Sequence, residues 1–419
     1  MTSVAFHTLG CKLNFAETSA MRRTFEGGEY EIRGFDSPAD IYVINTCSVT
    51  EDANRECRKV VRQALRRNPD AIIAVTGCYA QLEPEQIAAI EGVSLVVGAK
   101  DKFSLPDLVK SVGKRDTALV LRTDVNEAVD FHHAISSGDR TRAFLKIQDG
   151  CDYKCAFCTI PMARGASRSP LIADVLEQAR QAVEEGFREI VLTGVNAGDF
   201  GRHTGESFHD LLLALEQVEG VERIRTSSIE PNLLEERTIR HAAGSTRIMP
   251  HFHMPLQSGS DDMLRLMKRR YRRQLYADKV ALIRELMPHA AIGVDVITGH
   301  PGETPERFED SFAFIEGLDV SYLHVFTYSE RPNTAALDLD PVVPVEERRR
   351  RTHRLRKLSD LKRQVFETRF RGQPRPVLFE SEITDGMISG YTDNYIRVRV
   401  PVEEGLMNEV MSQYQSGSK

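Results

Sequence analysis

Three cysteines of this chain each close an apolar run. Residues 4–10 lead into Cys11, residues 41–46 into Cys47 and residues 72–77 into Cys78. Segments with helical spacing lie between, at 17–26, 52–67 and 84–90. A further short run, 94–98, precedes a helical stretch at 105–112. Strand and helix in alternation predict a parallel sheet with helices on both faces over residues 1–125. In such sheets ligands gather outside the carboxyl ends of the strands, where all three cysteines fall. The polar stretch 123–140, with paired His132 and His133, is expected to be a linker.

The chain has seven cysteines, and three more share one loop, Gly150-Cys151-Asp152-Tyr153-Lys154-Cys155-Ala156-Phe157-Cys158-Thr159. Disulfides fit poorly, because the count is odd and no secretory signal peptide is evident; a long, cysteine-poor chain is expected in the cytoplasm. Structural zinc competes for the loop, but closed zinc sites want four ligands and no histidine is near. A four-iron cluster held by three cysteines leaves one iron open to a small molecule, and both trios suit that arrangement. Cys57 stands apart. It is in helical register with Ala53, Val60 and Ala64 and is expected in the core.

At 419 residues the chain exceeds a single core, so two or three domains are expected. The formal charge of −6 is unevenly spread, and no apolar run reaches membrane-spanning length. Residues 141–370 repeat the strand–helix alternation. Strands are expected at 143–147, 190–193, 223–227, 251–255, 292–297 and 323–326, and helices at 170–185, 208–218, 233–243, 261–286 and 305–316. Six such units predict a partial (β/α)6 barrel whose site opens at the carboxyl ends of the strands. The cysteine loop follows the first strand, and polar or glycine-bearing turns follow the others. Residues 346–375 are strongly basic, and that density of cation on an acidic background suits a polyanion. Leu355, Leu358, Leu361 and Val365 give the same segment an apolar docking stripe. Two runs, 376–380 and 391–400, predict a small β-rich tail from residue 372 onward.

With these residues in view, the chain resembles the methylthiotransferases of the radical S-adenosylmethionine (SAM) superfamily. The Cys151-x3-Cys155-x2-Cys158 loop matches the superfamily's cluster motif, and Cys11, Cys47 and Cys78 match the auxiliary-cluster domain of methylthiotransferases. The tail is similar to the family's RNA-binding TRAM module, although little sequence follows Val410 for its last strands. Thr8-Leu9-Gly10-Cys11-Lys12-Leu13-Asn14 and His253-Met254-Pro255-Leu256-Gln257-Ser258-Gly259-Ser260 look most like the branch acting on N6-threonylcarbamoyladenosine at tRNA position 37. Sister branches act on isopentenyladenosine in tRNA or on an aspartate of a ribosomal protein. His300 departs from the family, which usually has Phe there.

The resemblance implies two 4Fe–4S clusters and SAM as cofactors. Cys151, Cys155 and Cys158 would hold the cluster that cleaves SAM to a 5′-deoxyadenosyl radical. Cys11, Cys47 and Cys78 would hold the second cluster, which carries the sulfur. It also implies the tRNA anticodon loop as partner and an electron donor such as flavodoxin or ferredoxin. Phe157, Gly194, Asn196, Ser228, Glu230, Gln257 and Asp295 would surround the cofactor; the plainer alternatives are a turn for Gly194, a helix cap for Asn196 and a strand-end polar group for Gln257. Arg164 and Arg168 could hold a carboxylate or phosphate, or simply pair with acids at the barrel rim. Arg350, Arg354 and Lys357 would meet RNA phosphates. A non-enzymatic iron–sulfur carrier is the alternative class, and it would not need a mouth lined by polar turns.

Overall fold

A computed structural model describes residues 1–47, 51–114, 117–136, 141–403 and 405–415. The chain divides into two compact units. The first contains the N-terminal sheet together with Phe144–Tyr153 and Thr159–Pro170. The second contains Lys154–Cys158 and everything from Leu171 onward.

In the first unit, strands β1 (Thr2–Thr8), β2 (Tyr30–Arg33), β3 (Ile41–Thr46), β4 (Ile72–Gly77), β5 (Val93–Val97) and β6 (Leu119–Leu121) form one sheet in the order β2-β1-β3-β4-β5-β6. Every pairing is parallel. Helices α1 (Lys12–Arg23), α2 (Glu51–Arg67), α3 (Cys78–Leu82), α4 (Pro84–Ala88) and α5 (Leu105–Val112) connect the strands. Side chains alternate between two cores. Ala5, Ile44, Ile73, Val75 and Val96 pack with Val60, Val61 and Ala64 of α2. Val4, Val43, Ala74, Leu95 and Val97 pack with Met21, Phe25 and Val109 on the other face. A sheet buried on both faces needs nearly continuous apolar strands. Each such Val or Ile taken fully from water contributes roughly 1.5–3 kcal/mol. Cys57 lies in the α2 core with no exposure, and burial pushes its thiol up to about 12.

Helix α1 starts directly after Cys11, earlier than residue 17. The edge strands β2 and β6 were not expected, because four and three residues carry too little alternation to register. The order β1-β3-β4 sets the strands running into Cys11, Cys47 and Cys78 side by side, with neighbours about 4.8 Å apart.

The βα series begins with β7 (Arg142–Lys146) and continues through β8 (Glu189–Thr193), β9 (Arg223–Thr226), β10 (His251–Gln257), β11 (Ala291–Thr298) and β12 (Tyr322–Thr327). Intervening helices are α6 (Ile160–Arg164), α7 (Ile172–Glu184), α8 (Phe208–Leu215), α9 (Glu236–Gly244), α10 (Asp261–Leu266), α11 (Arg273–Leu286) and α12 (Pro305–Gly317). In the second unit β8 pairs with β9, and β10, β11 and β12 form a parallel set. Bridges Ile224↔Ile248 and Ser228↔His253 join the two groups. The helix expected over 261–286 is broken: Lys268 turns to φ 56, and the chain re-enters a helix at Arg273. Helix α13 (Val345–Arg369) docks on β12, with the Ser359 hydroxyl bonded to both backbone groups of Leu323 at 2.9 Å.

The tail is a four-stranded antiparallel sheet of β13 (Pro374–Thr384), β14 (Met387–Thr392), β15 (Arg397–Pro401) and β16 (Val410–Gln415) in the order β15-β14-β13-β16. Its core is Val377, Phe379, Ile388, Val398, Val400 and Leu406. The single run expected over 391–400 is two strands around a turn, with Tyr395 at φ 66. That turn meets the amino ends of the barrel strands. Arg223 donates to the Thr392 carbonyl at 3.0 Å, and Arg225 donates to the Asp393 carbonyl at 3.2 Å. Glu189 accepts from Arg225 at 2.8 Å and forms an ion pair with Arg223 at 2.8 Å, and Tyr395 stacks on His251 with centroids 4.3 Å apart. The architecture is therefore the expected α/β class, with a parallel N-terminal sheet, a series of βα units and a small antiparallel C-terminal sheet. No helix among the described residues is long and apolar enough to cross a membrane.

Candidate cluster sites and barrel mouth

The N-terminal trio is drawn together by glycine and asparagine. Gly10 adopts φ +109, and a Cβ there would lie 2.6 Å from the Cys47 Cβ. Gly77, at φ +100, leaves no room for a side chain beside the Thr46 carbonyl. The Asn14 amide donates to the Leu9 carbonyl at 2.8 Å and to the Thr46 carbonyl at 3.1 Å, tying the Cys11 turn to the end of β3. Cys47 and Cys78 are buried and Cys11 is exposed, and none of the three is in a disulfide. Burial pushes the Cys78 thiol up, and the neighbouring Arg164 opposes that shift.

A buried charge network adjoins this trio. Arg164 donates to Glu17 at 3.0 Å, to Asp149 at 2.9 Å and to the Asn14 side chain at 2.7 Å. Glu17 also pairs with Lys102 at 2.7 Å and Lys146 at 3.1 Å, while Asp149 pairs with Lys146 at 2.7 Å and Arg168 at 3.0 Å. Burial alone would raise the Glu17 carboxyl, but Arg164, Lys102 and Lys146 hold it well below the usual range. Burial lowers Lys102, against the pull of Glu17. Four basic groups thus face two carboxylates, and Arg164 also feels Cys78 and Cys11. Three thiolates at this spot would meet a surplus of positive charge, and that donor set fits an anionic iron–sulfur cluster. Of the two expectations for Arg164 and Arg168, the geometry matches pairing with acids. Arg164 is committed to Glu17 and Asp149 within the buried network. Arg168 is likewise engaged, by Asp149 and by the carbonyls of Asp130 and Arg164.

In the second unit the cysteine loop is pinned from two sides. Ala156 donates to the Met267 carbonyl at 3.0 Å and accepts from Ala336 N at 2.8 Å. The Cys155 sulfur accepts from Arg269 at 3.0 Å, and Arg269 forms a short ion pair with Glu230. Burial raises the Cys155 thiol and the Glu230 carboxyl, and in each case Arg269 opposes the shift. The Asn196 side-chain oxygen accepts from Glu230 N at 3.3 Å. Ser228 and Asp295 are joined through His253, at 2.9 Å to the serine hydroxyl and 2.8 Å to the carboxylate. His324 adds a third possible ligand atom within 4.8 Å of those of His253 and Asp295. Phe157 meets His300 edge-on at 6.0 Å. Gln257 sits at φ 67 where the β10–β11 register shifts, and Gly194 follows β8 half-buried.

Sequence reasoning missed Arg269, His253 and His324. The only trace of Arg269 was the Lys268-Arg269-Arg270 run, hidden inside an expected helix. Basic helix α13 also differs from a free cationic face. Arg348 and Arg351 are buried, and Arg351 pairs with Glu303 and Glu347. Arg350 is chelated by Glu347 and Arg354 by Glu309, while Lys357 is exposed. Exposed pairs of this kind are worth only about 0–1 kcal/mol, so a phosphate could replace the carboxylates.

Residues 3–98 match the family described as "Uncharacterized protein family UPF0004", and residues 145–315 match the radical SAM superfamily. Among solved structures, the radical SAM methyltransferase TsrM from Kitasatospora setae superposes with TM-score 0.57 at 15% identity, covering 80% of this chain and 77% of that one. The cobalamin-dependent radical enzyme OxsB gives TM-score 0.52 at 13% identity, over 86% of this chain and 56% of that one. These likenesses define a radical SAM fold. The threonylcarbamoyladenosine tRNA methylthiotransferase MtaB of Bacillus subtilis is 39% identical over 98% of this chain and 93% of its own length. The MtaB of Aquifex aeolicus is 37% identical over 94% and 96%. A tRNA-2-methylthio-N(6)-dimethylallyladenosine synthase from Acetivibrio thermocellus is 29% identical over 97% and 87%. The chain belongs to the radical SAM methylthiotransferase family. Its cofactors are SAM, the 4Fe–4S cluster of the superfamily and the second cluster that methylthiotransferases carry.

Proposed function

We propose that this enzyme transfers a methylthio group to C2 of N6-threonylcarbamoyladenosine at position 37 of tRNA. The near full-length similarity, at 39% identity, to a threonylcarbamoyladenosine tRNA methylthiotransferase supports this reading. We assign residues 1–125 to the auxiliary-cluster domain, 141–370 to the radical domain and 372–419 to a TRAM-like RNA-binding module. Action in the cytoplasm and an electron donor of the flavodoxin or ferredoxin type complete the reading.

Cys151, Cys155 and Cys158 would hold one cluster, and Cys11, Cys47 and Cys78 the other. Together with SAM the clusters supply one-electron cleavage of a sulfonium and a transferable sulfur. The chain's own residues position and exclude. Arg269 braces Cys155 and orients Glu230 toward the mouth. Asn196 fixes the Glu230 backbone. His253 links the Ser228 hydroxyl to the Asp295 carboxylate through its two ring nitrogens. Phe157, Gly194 and Gln257 line the same rim. On α13, Arg350 and Arg354 would exchange carboxylates for tRNA phosphates, and exposed Lys357 would add a third phosphate contact. An anticodon loop suits such a mouth, since single-stranded loops are where individual bases can be splayed out.

Reconstituted enzyme should bind about eight irons per chain, falling by about half when Cys151, Cys155 and Cys158 are all replaced by Ala. A wild-type chain that takes up only zinc would sink the two-cluster assignment. For the substrate, three tRNA preparations are compared by nucleoside mass spectrometry: threonylcarbamoylated, isopentenylated and unmodified at position 37. Only the first should gain a methylthio group. Equal turnover of the isopentenyl form would move the enzyme to the sister branch.

A further inference from the structure

The turn after β12 carries an arginine with no neutralising partner among the described residues. Arg331 is only 5% exposed, and neither its Nε nor its Nη2 has a hydrogen-bond partner among the described residues. No carboxylate within ion-pair range of it is found among those residues. The adjacent acid, Glu330, is taken by Arg348 at 2.6 Å. Its backbone carbonyl accepts from the Thr334 hydroxyl at 2.7 Å, which leaves the guanidinium untouched. A buried, unpaired guanidinium is strongly unfavourable, and arginine in such a place is the usual fork for a carboxylate or phosphate.

The place is as telling as the charge. β12 ends at Thr327, so Arg331 stands at the carboxyl ends of the barrel strands, where the mouth opens. The residues flanking it pack on the cysteine loop. Tyr328 and Ala336 form one apolar cluster with Ala156, with Phe157 and Ile297 against it, and Ala336 N bonds the Ala156 carbonyl. We propose that Arg331 is the counter-ion for a carboxylate bound at the barrel mouth beside the cysteine loop. Two ligands offer that group: the methionyl end of SAM and, resting on the substrate reading above, the threonyl end of the modified base.

Equilibrium binding to reconstituted enzyme separates these sources. One arm compares SAM with decarboxylated SAM. The other compares an anticodon stem-loop carrying threonylcarbamoyladenosine with the same RNA carrying the threoninamide. Charge-assisted hydrogen bonds of this kind correspond to about ten- to hundredfold in affinity. Arg331→Gln should lose that much for the carboxylate ligand of one arm and bind its uncharged analogue as the wild type does. Arg331→Lys should recover part of the loss. A loss in the SAM arm assigns the cofactor carboxylate, and a loss in the RNA arm assigns the substrate carboxylate. If the substrate reading is wrong, wild-type enzyme will not distinguish the two RNAs, and the SAM arm still decides the role of Arg331. Arg331→Gln matching wild type on both carboxylate ligands, or weakening charged and uncharged ligands equally, would overturn the proposal. Ligand-free Arg331→Gln should unfold at or above the wild-type temperature, since the uncompensated charge is gone. A clear drop instead would mark Arg331 as a structural residue and also overturn it.

Discussion

Cys155→Ala abolishes formation of 5′-deoxyadenosine, whereas Cys47→Ala leaves cleavage of SAM running and stops methylthio transfer. This division is expected because the two trios occupy different structural settings. Cys155 lies in the pinned loop, with Arg269 on its sulfur and Glu230 behind that arginine. Cys47 ends the middle strand of three, between the strands that run into Cys11 and Cys78. Losing it opens the N-terminal trio without touching the loop. Product analysis under reducing, anaerobic conditions reads both activities in one sample. If Cys47→Ala lost cleavage while Cys155→Ala kept it, the roles of the trios would be reversed.

The second large effect concerns stability. Glu17→Gln leaves Lys102, Lys146 and Arg164 buried with only Asp149 to balance them. Breaking a buried charge pair from one side typically costs about 3–5 kcal/mol. Calorimetry of the full chain should show a lower transition for the N-terminal unit. The drop should be largest in the cluster-free protein, because bound thiolates bring compensating negative charge. The pH dependence has a definite sign. Glu17 has a folded pKa below its ordinary 4.5, so its stabilisation is complete above that value and is lost as pH falls toward the folded pKa. Glu17→Gln should flatten that acid limb. An unchanged transition with an unchanged acid limb would mean that the network contributes nothing to the fold.

Much of this was legible in the residues. Strand-then-cysteine repeats located the sheet edge, and helical register placed Cys57 in the core. Local signals failed where the decisive partner is remote in sequence. Nothing near Arg164 announces Glu17, and nothing near Arg269 announces Cys155. Arg164 therefore read equally as a ligand-binding arginine or a rim ion pair, and Arg269 was lost inside an expected helix. The break at Lys268 escaped notice because the residues on either side keep a helical apolar period. Basic residues of α13 were visible as a run, but the acids on α12 and in the turn before it that occupy several of them were not. Arg331 carried no signal at all, since an unpaired buried charge is defined by what is missing around it.

The turn at Tyr391–Ile396 gives the tail an obligation to the barrel. Two guanidiniums at the barrel floor, Arg223 and Arg225, find acceptors in its carbonyls, and an aromatic ring of the turn lies flat on His251. Such a tail cannot be exchanged as a cassette between relatives unless the receiving barrel keeps its matching arginines. Swapped chimeras should therefore inherit or lose their solubility according to the residues at 223 and 225, whatever RNA preference the transplanted strands bring.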